Sequence, residues 1–137
     1  IPSPGTLNKD DINLNNHTVK LANSIDVLFE KIELNKILSE IWDQISNLNK
    51  YFSDQKPWEL KKTDIDRMNT VLFVTVDNIR RISIMLIPFI PESANKILDL
   101  MSIDVAERSF NNIDTKGLQS FKKAIGDVKP IFPKIDE

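Results

Sequence analysis

Asn47-Leu48-Asn49-Lys50-Tyr51-Phe52-Ser53-Asp54-Gln55-Lys56-Pro57-Trp58-Glu59-Leu60-Lys61-Lys62 is the stretch on which the fold turns. A helical apolar pattern runs into it and stops, a Pro-Trp pair flanked by lysines follows, and a long apolar segment begins soon after. Pro57 cannot donate a backbone hydrogen bond and biases Lys56 away from helical angles. Pro is nonetheless well suited to the first position of a helix. The reading is a helix end near Ser53, a joint over 54–63, and a single helical turn begun by Pro57-Trp58-Glu59-Leu60. Trp58 falls where a loop meets a helix, outside any apolar stripe. Its ring either plugs the end of a helix pair or offers a surface to a flat ligand.

Working back from the joint, Leu34, Ile37, Leu38, Ile41, Ile45, Leu48 and Phe52 recur at helical spacing. Trp42 flanks that stripe and is expected in the core. A short break near Glu33 predicts that the preceding helix, roughly 9–31, packs antiparallel. Its stripe is Leu14, Leu21, Ile25, Leu28 and Ile32, with Asn8 or Thr6 as cap and Asp10 and Asp11 in the first turn. His17 lies beside the stripe and is expected on the surface.

Forward of the joint, Thr63 or Asp64 caps a helix over 64–87, with Asp66 in its first turn. Met68, Leu72, Thr75, Ile79, Ile82 and Leu86 form one face. Val71, Val74, Val76, Ile84 and Met85 broaden it, so this helix is buried on several sides. Val71–Val76 is rich in strand formers. An apolar run of about 24 residues without turn signals, roughly 36 Å as a helix, still favours helix. Arg80 and Arg81 are placed on its less apolar side. Pro88 ends or kinks it, and Pro91 opens the next helix with Ala94, Ile97, Leu98 and Met101 inside. A short helix over 104–110, weak helicity over 115–125 and an extended strap over 126–137 complete the chain. The fold class is all-α, a single helical domain over 1–137.

Composition excludes several functions. Lys+Arg 18 against Asp+Glu 20 gives a net charge of −2, which weakens a general polyanion binder without excluding a local RNA contact. The chain has no cysteine and one histidine, so a thiolate zinc site, a thiol nucleophile and a histidine-based metal cluster cannot be built within it. No apolar run reaches membrane-spanning length, and Ile1-Pro2-Ser3-Pro4-Gly5 is not a signal peptide. These features predict a cytoplasmic location, and the Pro-rich start without methionine reads as a piece of a longer protein. The carboxylate pairs Asp10/Asp11 and Asp64/Asp66 lie at helix N-termini, where dipole reasons account for them. The three glycines form no phosphate loop, and no catalytic motif appears. What remains is binding. Lys56, Trp58, Lys61 and Lys62 cluster within a few residues, with Arg67 one or two turns on. An aromatic ring beside cations can hold an unpaired base. Glu59 and Asp64 leave the local charge mixed.

The run Asn49-Lys50-Tyr51-Phe52, then Lys56-Pro57-Trp58-Glu59-Leu60, resembles the anticodon-binding domain of bacterial methionyl-tRNA synthetases. Pro88-Phe89-Ile90-Pro91-Glu92-Ser93-Ala94, Lys96-Ile97-Leu98 and Pro130-Ile131-Phe132-Pro133-Lys134-Ile135 extend the resemblance over nearly the whole chain. The resemblance implies a helix bundle of the class I synthetase anticodon-binding type, lacking that bundle's first helix. It implies recognition of the CAU anticodon of methionine tRNA, with Trp58 stacking on the first anticodon base and Pro57 shaping its surroundings. Lys56, Lys61 and Lys62 join them as phosphate neighbours. The family's other anticodon contacts, an asparagine and an arginine, lie on that first helix and have no counterpart here. The resembled enzyme is an ATP-dependent methionine–tRNA ligase. This chain is expected to bind neither ATP nor methionine, which belong to the catalytic domain of the same protein. Loss of the first helix would uncover an apolar groove and favour self-association. Two other readings stay open: a helical protein-interaction module, and the anticodon domain of a sister class I synthetase.

Overall fold

The structure, a computed structural model, describes residues 4–113, the side chain of Asn111 excepted. The helicity expected over 115–125 and the strap over 126–137 lie outside the described residues. The elements are α1 (Lys9–Glu30), α2 (Leu34–Gln55), α3 (Pro57–Thr63), α4 (Ile65–Leu86) and α5 (Pro91–Leu100), followed by 3₁₀ turns at Val105–Glu107 and Phe110–Asn112. Those turns replace the short helix expected over 104–110.

Helix ends follow local chemistry. Asn8 caps α1 in a reciprocal box: its side chain accepts from the Asp11 amide, and the Asp11 carboxylate accepts from the Asn8 amide. Asp64 caps α4 by accepting from the amide of Arg67. Pro57 and Pro91 each stand at the start of their helix, where the missing N–H costs nothing. α1 ends in a left-handed Ile32, φ 58°, with the Glu33 amide bonded back to the Leu28 carbonyl. The Val71–Val76 segment is helical, because burial of α4 on several sides outweighs its strand propensity.

α1, α2 and α4 form an up-down-up bundle. Polar contacts show the register directly. Asp11 and Thr18 of α1 meet Tyr51 and Gln44 of α2, in descending order, and Arg67 and Asn78 of α4, in ascending order. Leu14 of α1, Leu48 of α2 and Val71 and Val74 of α4 pack between these layers, and Ile25, Leu28, Ile37, Ile41, Ile82 and Met85 pack beyond the second. Burying each such side chain contributes about 1.5–3 kcal/mol. Phe29 stacks on Phe89 at 5.9 Å and meets the edge of Phe110 at 6.2 Å, closing the end of the bundle away from the joint.

Several faces differ from the expected ones. α2 turns Ile37, Ile41, Gln44, Leu48 and Tyr51 inward. The line Leu34, Leu38, Trp42 is therefore rotated outward, and Trp42 is 68% exposed rather than in the core. The inward face carries two polar residues that an apolar count passes over. Gln44 donates to Thr18 Oγ1 at 2.8 Å, and Thr18 Oγ1 lies 2.6 Å from Asn78 Oδ1. Ile32 ends its stripe in solvent. Arg80 and Arg81 are buried, not placed on an open side: both guanidiniums bind Asp77, at 2.9 and 3.0 Å, and Arg80 also donates to the Asn112 carbonyl. The segment after α5 covers this side of α4, and the ion pairs make that burial tolerable.

Candidate functional site

The joint is built by Lys56, which serves two helices at once. Its amide bonds to the Phe52 carbonyl and ends α2 at Gln55, two residues beyond the expected Ser53. Its carbonyl accepts from the amides of Glu59 and Leu60 and so begins α3. To do both, Lys56 adopts φ 48°, ψ 60°. That left-handed conformation costs a non-glycine residue about 1–2 kcal/mol. α3 is longer than the single turn expected, running to Thr63.

All five site residues expected from the sequence lie on α3 or its cap. Pro57 is buried at the base. Trp58 is 55% exposed, with its ring centroid 6.0 Å from that of Phe52 and tilted by 56°. Phe52 thus supports the indole from below, a role its place in an apolar stripe did not reveal. Lys61 and Lys62 stand three and four residues after Trp58, on the same face of α3, and both are exposed, as is Lys56. They also occupy the last turn of α3, where cations favour the helix dipole. Trp58 does not plug the end of a helix pair. The joint presents a supported aromatic face with exposed cations beside it, which can stack a planar group and attract an anionic one. Glu59, also exposed, keeps the surface from being uniformly basic.

Arg67 does not add a fourth cation to that cluster. Its Nη1 donates to Asp11 Oδ2 at 2.6 Å, and its Nη2 donates to Asp11 Oδ1 at 2.8 Å and to Gln55 Oε1 at 2.7 Å. Tyr51 donates its hydroxyl to Asp11 Oδ1 at 2.6 Å. Burial alone would raise the Asp11 carboxyl. Hydrogen bonds from Arg67, Tyr51 and the Asn8 amide outweigh it and hold the pKa below the ordinary value. Burial and the bond to Asp11 push the Tyr51 phenol up, so it stays protonated. Asp11 therefore does more than favour the helix dipole. The sequence signal for this was faint: a tyrosine and an aspartate at positions that continue the buried faces of α2 and α1.

Beside the Asp11–Tyr51 contact, α1 and α2 leave a cleft of about 270 Å³, with Asp10, His17, Asn47, Lys50 and Asp54 among its walls. Among the described residues, no group of three or more His, Cys, Asp or Glu could hold a metal ion, and no helix is long and apolar enough to cross a membrane.

Comparison with solved structures gives the architecture a close counterpart. The apo form of Mycobacterium tuberculosis methionyl-tRNA synthetase matches with a TM-score of 0.88 and 30% identity, over 100% of this chain and 28% of that one. The same enzyme in complex with methionyl-adenylate matches with 0.87 and 31%, over 98% and 27%. The fold is thus an all-α helix bundle of the class I synthetase anticodon-binding type. A family model described as the anticodon binding domain of methionyl tRNA ligase matches residues 1–137, and the chain belongs to that family. Methionine–tRNA ligases are its relatives in sequence. That of Rickettsia typhi is 39% identical over 117 residues, covering 85% of this chain and 23% of the relative. That of Brucella suis is 32% identical over 137 residues, covering 100% and 26%. The chain spans about a quarter of the length of these curated relatives.

Proposed function

We propose that this domain recognises the anticodon loop of methionine tRNA, with Trp58 as the ring on which the first base of CAU stacks. The observation that carries the reading is the placement of Trp58: more than half exposed, backed by Phe52, on a Pro-led helix of a chain in this family. Pro57 sets the start of that helix, and Lys56, Lys61 and Lys62 attract the flanking phosphates. The domain works as the C-terminal part of a cytoplasmic methionine–tRNA ligase. ATP and methionine bind in the catalytic domain of that protein and not to these helices.

Titration of the whole protein with a CAU stem-loop, and with one altered at the first anticodon base, tests this. Stacking contributes about 1–3 kcal/mol per base, so Trp58→Ala should weaken CAU binding by about 5- to 150-fold. It should also narrow the gap between the two loops. Indifference of binding to both changes overturns the assignment.

A second reading, a helical surface for a protein partner or a second copy, is favoured by the exposed line Leu34, Leu38 and Trp42 on α2. It predicts concentration-dependent sedimentation that Trp42→Ser abolishes. A single monomeric species at every concentration rules out self-association through this face.

A further inference from the structure

Arg67 brackets α3 from both sides. Its side chain holds Gln55, the last residue of α2, through Nη2 at 2.7 Å. Its backbone amide donates to the capping carboxylate of Asp64, the residue immediately after α3, at 3.0 Å. Between these two grips the chain has little torsional freedom. Lys56 is held in the left-handed region and Pro57 has a fixed φ, so the direction of Trp58 follows from where Gln55 is held. Gln55 is itself oriented, since its amide donates to Asp10 Oδ2 at 3.1 Å.

We propose that Arg67 is a positioning residue for the Trp58 platform, fixing the ring's orientation through Gln55 rather than touching RNA. This rests on the reading of Trp58 as the stacking ring. The guanidinium has both prongs on Asp11, and the second prong reaches Gln55 as well. Only 18% of its side chain is exposed, which leaves it poorly placed to contact phosphate. Holding α1 to α4 requires the Asp11 pair alone. The additional bond to Gln55 ties in the end of α2, and with it the joint. A lysine at this position would keep a charge for Asp11 but, lacking the planar fork, could not hold both partners.

Arg67→Lys and Gln55→Ala therefore separate positioning from folding. The protein is labelled with 5-fluorotryptophan, and the Trp58 ¹⁹F resonance is assigned by its loss in Trp58→Phe. Both variants should fold, by far-ultraviolet circular dichroism, and shift or broaden the Trp58 resonance while leaving that of Trp42 in place. Each should weaken CAU stem-loop binding by about tenfold, within the range for residues coupled through one hydrogen-bond network. Neither should weaken it further once Trp58→Ala is present. An unmoved Trp58 resonance in both variants overturns the clamp. Additive losses in the double variants overturn it too, because they would make Arg67 an independent RNA contact. If Trp58→Ala alone leaves binding unchanged, the stacking reading falls and the functional role of the clamp with it. An intact Trp58 effect with an unmoved resonance overturns the clamp alone.

Discussion

Arg67 and Asp11 lie 56 positions apart and meet as a two-pronged pair, Nη1 to Oδ2 at 2.6 Å and Nη2 to Oδ1 at 2.8 Å. The carboxylate has no exposed side-chain surface, and it also receives Tyr51 and the Asn8 amide. One buried charge thereby joins the start of α1, the start of α4 and the C-terminal part of α2.

Removing that carboxylate leaves a guanidinium and a phenol without their partner. Asp11→Ala should destabilise the domain by about 3 kcal/mol, the lower end for breaking a buried pair, since Arg67 keeps some contact with solvent. Urea denaturation at neutral pH measures it.

The same group gives stability a pH dependence. The folded pKa of Asp11 lies below its unfolded value of about 3.9. Its contribution is fully present above that value and is lost as pH falls through the folded pKa. Wild-type stability should therefore fall on acidification below about pH 4. Asp11→Asn should show a shallower fall over that window in denaturant midpoints measured at a series of pH values.

The buried layer of Thr18, Gln44 and Asn78 is a second polar lock. Thr18→Val takes the partner from the Gln44 amide and from Asn78 Oδ1, and should cost about 2–3 kcal/mol. Replacing all three by apolar residues of similar size should recover much of that loss, since no buried polar group is then left unpaired. Thermal melts of the single and triple variants decide it.

Ile32 is 78% exposed and left-handed. A β-branched side chain in this region is strained and buries little here. Ile32→Gly should raise stability by about 1 kcal/mol, despite the extra freedom glycine has in the unfolded chain. A lowered melting temperature would show that the side chain packs against something important.

Salt dependence separates the lysines from the tryptophan. If Lys61 and Lys62 each neutralise a phosphate of an unpaired strand, each Lys→Ala change should flatten the slope of log K against log salt by about 0.7. Trp58→Ala should weaken binding at every salt concentration with the slope unchanged.

How much was legible in the sequence differs from element to element. The caps, narrowed to Asn8 or Thr6 and to Thr63 or Asp64, and the Pro57 and Pro91 helix starts were readable because each depends on neighbours within about one turn, whereas the residues alone left open whether Trp58 is exposed. Trp42 and Arg67 were misread. An apolar ring one step off a stripe looks buried, and an arginine near lysines looks like part of a basic patch. Their true surroundings come from other helices.

The sequence by itself determined that this chain is helical, where the long helices stop to within about a turn, and that a tryptophan stands at the joint between them. Capping, proline geometry and apolar periodicity are local and act before any helix finds its partner. Only the tertiary structure decided which side of α2 faces inward, that Gln44 and Thr18 belong to the core, and that Arg67 is held by Asp11 and Gln55 instead of facing solvent. The physical reason is that a buried polar group is tolerated only beside its partner, and here those partners lie on other helices.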